Sequence, residues 1–289
     1  MAQESFEHER LAGPIVSNPR SERVREFAKL ARRSARSKAG KFLVEGPQAV
    51  REALLLHGAG RSERTLIKAA WMTAAAAERH PDLLDSAAIA GVEFRQITDE
   101  ALSVLTETVA AQGVVIACEF IDVRLDDVIA QQPKLVAVLA HVRDPGNAGT
   151  VLRAADAAGA DAVVLTDASV DVYNPKTVRS TAGSLFHLPV VTNIALSAAV
   201  EQLQAADIRV LAADGHEPAL DLHTLPCDGV SLADPTAWVF GNEAWGLPPE
   251  DRELADAIVK VPMYGAAESL NLAVAASLCL YESARAQRG

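Results

Sequence analysis

Short apolar runs alternate along the chain with stretches of helical spacing, and this alternation predicts an α/β protein built as two units. In the front half, residues 42–45, 66–72, 92–97 and 114–120 predict strands. Residues 47–57, 74–90 and 99–106 predict helices, with Gly58, Gly60, Gly91 and Gly113 punctuating the transitions. Ahead of them, Val24, Phe27, Leu30 and Ala31 recur at helical spacing and predict one amphipathic helix over residues 18–35. Residues 1–17 show no such pattern and are expected to be a disordered tail.

The pattern changes near residue 122. A short helical stretch runs into Gln131-Gln132-Pro133, so residues 123–134 are expected to link a front unit (18–122) to a second one (135–289). The second unit opens with a strand at 135–142, a turn, a helix at 148–158 ended by Gly159, and a strand at 162–165. Further strands are predicted at 188–191, 209–213, 238–241 and 258–261, with helices at 195–205 and 270–286. Apolar strands alternating with helices imply a parallel sheet covered on both faces.

Composition adds two constraints. No segment reaches the ~18–20 uninterrupted apolar residues of a membrane span, and Met1 to Arg10 is too polar for a secretory leader, so a cytoplasmic protein is expected. Cys118, Cys227 and Cys279 are odd in number and lack metal-ligand spacing, which predicts reduced thiols and no metal site. The net charge of −11 argues at first against a nucleic-acid partner, but its distribution argues otherwise. Residues 18–41 hold nine basic side chains against two acidic ones, a local charge of +7 that leaves −18 elsewhere. Such a segment can lie on phosphates, and Arg33, Arg36, Lys38 and Lys41 are the candidate RNA contacts. A solvated basic helix is the plainer alternative.

Several chemistries find no support. There is no Gly-x-Gly-x-x-Gly after a strand, no phosphate-cradling Gly-x-x-x-x-Gly-Lys loop, no His-Glu-x-x-His and no Gly-x-Ser-x-Gly. The histidines pair with no evident nucleophile, and a hydrogen-bonded structural role is expected for His141 and His187.

What remains are three stretches at strand–helix junctions. The first is Asp144-Pro145-Gly146-Asn147-Ala148-Gly149-Thr150-Val151-Leu152-Arg153. Asn147 could cap the helix that follows. Arg153 lies six residues on, about 600° of helical rotation, so the two side chains do not share a stripe. Arg153 could pair with Asp156 or Asp161. The second stretch is Phe240-Gly241-Asn242-Glu243-Ala244-Trp245-Gly246-Leu247, where Glu243 could be a solvated turn carboxylate and Gly241 could let a ligand approach the backbone. The third is Val261-Pro262-Met263 followed by Ser269-Leu270-Asn271-Leu272-Ala273, with Ser269 placed to cap the last helix.

In this order and spacing the three stretches resemble the signature motifs of the SpoU (TrmH) family, 2′-O-ribose RNA methyltransferases of the SPOUT class. Residues 42–54 resemble the RNA-binding domain of the ribosomal-RNA members, and the thiostrepton-resistance type is the nearest group. The resemblance implies a deep trefoil knot and a homodimer. It implies S-adenosylmethionine held largely through the main chain of Gly241, Val261 and Leu270. It also implies that Arg153 acts on the ribose 2′-hydroxyl, with Asn147, Glu243, Ser269 and Asn271 completing the site. Because an arginine is normally protonated, Arg153 would serve as a base only in a special setting, or would steady the developing alkoxide. Ribosomal RNA, that of the large subunit, is the expected substrate. Transfer RNA, or a non-catalytic RNA-binding role on the same scaffold, are the alternatives. The apolar positions Leu272, Val274, Ala275, Leu278, Cys279 and Tyr281 of the last helix are expected to serve core or dimer packing.

Overall fold

The fold is described from a computed structural model, for residues 10–59, 65–106, 108 and 111–289. The chain divides into two compact units: Met1–Ile121 with Tyr173–His187, and Asp122–Val172 with Leu188–Gly289.

In the first unit, β1 (Ala12–Val16), α1 (Glu22–Ala28), α2 (Arg33–Ala39), β2 (Lys41–Glu45), α3 (Pro47–Gly58), β3 (Ile67–Met72), α4 (Ala74–Arg79), α5 (Pro81–Ala90), β4 (Arg95–Ile97), α6 (Asp99–Leu102) and β5 (Val114–Glu119) follow in order. The sheet runs β1-β4-β3-β5-β2, with β4 parallel to β1 and β3, and β5 antiparallel to β3 and β2. Three expectations are corrected. Residues 12–16 of the expected tail form an edge strand on β4, and residues 1–9 lie outside the described residues. The expected helix over 18–35 is broken. Ser21 caps α1, a single 3-10 turn covers Lys29–Ala31, and extended Arg32 (φ −93°, ψ 132°) restarts the chain as α2. Its apolar stripe is real, since Val24, Phe27 and Leu30 are buried against Trp71 and Ile97. Pro81, which has no N–H to donate, splits the expected helix 74–90 into α4 and α5.

The break at Arg32 sorts the basic residues. Arg36 is buried, and its guanidinium donates to the carbonyls of Leu30 (2.8 Å) and Ala31 (2.7 Å). It ties α2 to the preceding turn and is withdrawn from any phosphate, contrary to its expected place among the RNA contacts. Arg33 and Lys38 are exposed and Lys41 is half-buried.

The segment Tyr173–His187 belongs to this unit although it follows the first βαβ of the second. Tyr173 stacks on Phe120 (centroids 4.0 Å apart, planes 4° from parallel), and its hydroxyl accepts from the Ile121 amide at 2.8 Å. The short helix Pro175–Ser180 packs on β2. His187 pairs with Glu52 at 3.2 Å.

The second unit comprises α7 (Leu125–Ile129), β6 (Leu135–Leu139), α8 (Pro145–Ala158), β7 (Ala162–Thr166), β8 (Val190–Ile194), α9 (Leu196–Ala205), β9 (Arg209–Ala213), β10 (Leu220–Asp221), β11 (Thr236–Phe240), α10 (Pro249–Arg252), β12 (Ala257–Lys260) and α11 (Leu272–Arg288). Its sheet is parallel throughout, in the order β10-β12-β9-β11-β6-β7-β8. β6, β7 and β11 are buried along their whole length, as the unbroken apolar runs require. Residues 123–134, expected as a linker, carry α7, whose Leu125 and Val128 enter this unit's core. The order reverses beside β6, so the carboxyl ends of β6, β11 and β9 open onto a crevice, the usual place for a ligand in such sheets.

Helix α11 packs along α8. It is fixed to β11 by a buried hydrogen bond from the Trp238 indole to Ser283 Oγ at 2.8 Å. Its apolar residues divide: Cys279 and Leu280 are fully buried, whereas Val274, Leu278 and Tyr281 lie on the surface. Burial pushes the Cys279 thiol up to about 12, and Cys118 likewise upward, so both stay protonated at neutral pH.

Candidate active site

Each of the three stretches leaves a strand end of the second unit. After β6 the chain turns at His141, in the left-handed region (φ 59°), and reaches Asp144. Asp144, not Asn147, caps α8: its carboxylate accepts from the Asn147 amide at 2.8 Å, with Pro145 in the first helical position. The Asn147 side chain is therefore free for other work. Its Nδ2 donates to Glu243 Oε1 (3.2 Å), and its Oδ1 accepts from Asn271 Nδ2 (3.2 Å). Glu243 Oε1 also accepts from the Asp144 amide at 3.3 Å. Asn147, Glu243 and Asn271, one from each stretch, thus form a single hydrogen-bonded chain. Asn271 is itself the cap of α11, accepting from the Ala273 amide at 2.9 Å. Ser269, expected as that cap, instead lines the neighbouring cavity.

Arg153 is exposed on α8 and, among the described residues, forms no hydrogen bond or ion pair. Asp161, one of its possible partners, is engaged by the Lys134 and Leu135 amides at 2.7 and 2.9 Å. The guanidinium is left available to a partner outside the chain.

The turn after β11 is closed by reciprocal main-chain bonds between Asn242 and Gly246 (2.8 and 2.9 Å) and is anchored by Asn242 Nδ2 to the His141 carbonyl at 2.9 Å. This gives Gly241 a different reason from the expected one. A Cβ there would come within 2.5 Å of the Gly246 carbonyl group and 2.8 Å of the Leu247 nitrogen. The glycine lets the turn fold back on its own strand, a requirement that holds with or without a ligand. At Gly246 (φ 69°) a Cβ would meet Asp214 Oδ2 at 2.7 Å.

Asp214, at the end of β9, did not stand out in the sequence. Its buried carboxylate accepts from the amides of Leu247 (3.0 Å) and His216 (2.8 Å), meets His216 Nδ1 at 2.5 Å and faces Arg252 at 3.6 Å. Burial alone would push the acid up. The hydrogen bonds from Leu247 and His216 outweigh it and hold the acid below the usual carboxylate range. An acid immediately after an apolar strand is the signal that could have found it.

Between these turns lies a cavity of about 590 Å³, within the range of small-molecule sites. Gly241, Val261 and Leu270, the three expected cofactor residues, line it together with Asp214, Glu243 and Ser269. Among the described residues, the main-chain groups of Gly241, Val261 and Leu270 make no intramolecular hydrogen bond. Walls that mix apolar side chains such as Met263, Leu270 and Leu272 with carboxylates and open backbone donors and acceptors suit a nucleoside carrying a charged amino-acid chain, so the residues fit S-adenosylmethionine. Asn147, Arg153 and Asn271 lie outside the lining, with Glu243 the link between cavity and hydrogen-bonded chain.

Comparison with known proteins agrees with this geometry. Residues 134–281 match the SpoU rRNA Methylase family, and residues 21–116 match the MRM3-like substrate binding domain. The chain is 34% identical over 266 residues to the 23S rRNA (guanosine(2553)-2′-O)-methyltransferase RlmP of Bacillus subtilis, covering 92% of this chain and 97% of that one. It superposes on the AdoMet-bound rRNA methyltransferase of Sinorhizobium meliloti with a TM-score of 0.77 at 29% identity, covering 94% and 97% of the two chains. It likewise resembles AviRb from Streptomyces viridochromogenes in complex with AdoMet, with a TM-score of 0.73, 29% identity and 92% and 98% coverage. By its match across half its length and its likeness over nearly all of it, the chain belongs to the SpoU rRNA methylase family.

Proposed function

We propose that this protein transfers a methyl group from S-adenosylmethionine to a ribose 2′-hydroxyl of large-subunit ribosomal RNA. The observation that carries this reading is the Asn147–Glu243–Asn271 chain, which joins all three motif stretches beside a cavity suited to the cofactor. When bound, the cofactor supplies a methyl already activated on a sulfonium, so the protein's task is alignment and the handling of one proton. Main-chain groups of Gly241, Val261 and Leu270 hold the donor. Arg153 offers its guanidinium to the 2′-oxygen and steadies the charge that develops there. Asn147, Glu243 and Asn271 tie the starts of α8 and α11 to the turn after β11, and Ser269 closes the cavity wall.

The test is transfer of labelled methyl to in-vitro transcribed large-subunit RNA. Arg153→Ala should abolish turnover while leaving cofactor binding and thermal stability unchanged. Normal turnover in that variant would remove Arg153 from the mechanism. Transfer to transfer RNA alone would replace the substrate, a reading that the MRM3-like front domain argues against.

The same proposal includes a homodimer, with the surface stripe Val274, Leu278 and Tyr281 of α11 as its apolar contact. Leu278→Glu should then give monomers in sedimentation velocity, and an unchanged mass would move the interface elsewhere. It also includes a trefoil knot, formed as the chain passes from β12 back to α11 on α8. Pulling on the chain ends should leave a contour shorter than the fully extended chain. A cytoplasmic location suits the three free cysteines, and cell fractionation decides it. No helix among the described residues is long and apolar enough to cross a membrane.

A further inference from the structure

Trp245 has no part in the scheme above, yet its placement is unusual for this chain. Trp71 and Trp238 are 1% and 0% exposed, whereas Trp245 is 44% exposed. It follows Glu243 by two residues and sits at the wall of the donor cavity, on the turn closed by Asn242 and Gly246. The indole is braced from one side. The His141 ring lies against it (centroids 5.3 Å apart, planes at 54°), and His141 is fixed in turn by its Nε2 bond to Asp251 Oδ2 at 2.6 Å. Asn242 holds the His141 carbonyl as well. A large aromatic side chain thus stands at the cavity wall beside His141, with nearly half its surface open.

We infer that Trp245 is a stacking platform for an unpaired nucleobase of the RNA, that of the nucleotide presented for methylation or its neighbour. A rigid, half-open indole is the group that protein surfaces use to hold a splayed base, and stacking tolerates any base because each has a π-face. The cavity already offers the donor main-chain groups on Gly241, Val261 and Leu270, and Trp245 lines it two residues after Glu243, which belongs to the Asn147 chain. The His141–Asp251 pair acts as a positioning unit behind the platform. This inference rests on the proposed RNA substrate.

The experiment has two readouts. In steady-state methylation of transcribed large-subunit RNA, Trp245→Ala should raise the KM for RNA about 10- to 100-fold. The kcat should change little, and any loss in the calorimetric Kd for the cofactor should be far smaller than the rise in KM. Trp245→Phe should recover most of the loss. In fluorescence, the transcript should quench the one well-exposed indole of the wild type, and the quench should vanish in Trp245→Phe. An unchanged KM with no quench overturns the inference. A weakened cofactor Kd with an unchanged KM assigns Trp245 to the donor pocket instead, and dissociation of the variant in sedimentation assigns it to a subunit contact. Wild-type protein that methylates no ribosomal RNA defeats the functional reading separately, whatever the quench shows.

Discussion

Gly241→Ala isolates the closing of the site's central turn. The added Cβ would stand 2.5 Å from the carbonyl carbon and oxygen of Gly246 and 2.8 Å from the Leu247 nitrogen. All three are backbone atoms, and ordinary contact begins near 3.4 Å. No rotamer change relieves such a clash, so the turn must move. Overpacking of this kind costs roughly 1–3 kcal/mol. If the turn opens instead, it gives up the two Asn242–Gly246 bonds at 2.8 and 2.9 Å, each worth about 1 kcal/mol net. Both routes lead to about 2 kcal/mol. Borne by the whole unit, that lowers Tm by about 4–8 °C. Confined to the turn, it leaves Tm nearly fixed and weakens cofactor binding about 30-fold, the cost of restoring the bound geometry. Scanning calorimetry and isothermal titration with S-adenosylmethionine distinguish the two. Gly265→Ala is the control, since a Cβ there meets nothing within 4 Å. If Gly241→Ala matches the control in both Tm and Kd, the steric reasoning is wrong.

Three further predictions concern charge. Arg36→Ala should destabilise the protein by about 1–3 kcal/mol, because two carbonyls lose a buried donor, yet leave the salt dependence of RNA binding unchanged. Replacing Arg33, Lys38 and Lys41 together should leave Tm unaltered and flatten the slope of log K against log salt by about 0.7–0.9 for each phosphate no longer neutralised. The reverse assignment would restore Arg36 as an RNA-binding residue. Asp214→Asn should lower stability through the pH range in which the wild-type carboxylate is ionised. The folded acid is held below its ordinary value of 3.8. Its contribution is therefore complete above that value and fades as pH falls through the lower, folded one. The gap in Tm between the two proteins should stay constant near neutrality and narrow on acidification, and a gap that widened would show that burial dominates the acid instead.

Particular residues show how far the sequence could be read. The strands at 42–45 and 209–213 were legible, as were the first five residues of the one expected at 135–142, which ends at Leu139, because the buried centre of a strand must be apolar whatever surrounds it. The helix start near Asn147 was legible too, but the cap was not: Asp144 and Asn147 are both good capping residues, and only the path of the turn decides that Asp144 accepts the amide. At Ser269 and Asn271 the choice fell two residues away from the expected cap for the same reason. Arg36 was indistinguishable from its basic neighbours because the break at extended Arg32, a tertiary outcome, turned it inward. Trp245 was one residue of the second stretch with no signal of its own, and its exposure emerges only with the fold.

The sequence by itself determined the α/β class, the parallel sheet of the second unit, and the three polar stretches at its strand–helix junctions, since periodicity and local turn residues encode these directly. The tertiary structure alone decided that Asn147, Glu243 and Asn271 meet, that Asp214 anchors the turn beneath them, and that Tyr173–His187 joins the front unit. Those pairings link residues tens to more than a hundred positions apart. No local pattern specifies them, because they depend on which strand ends the sheet order brings side by side.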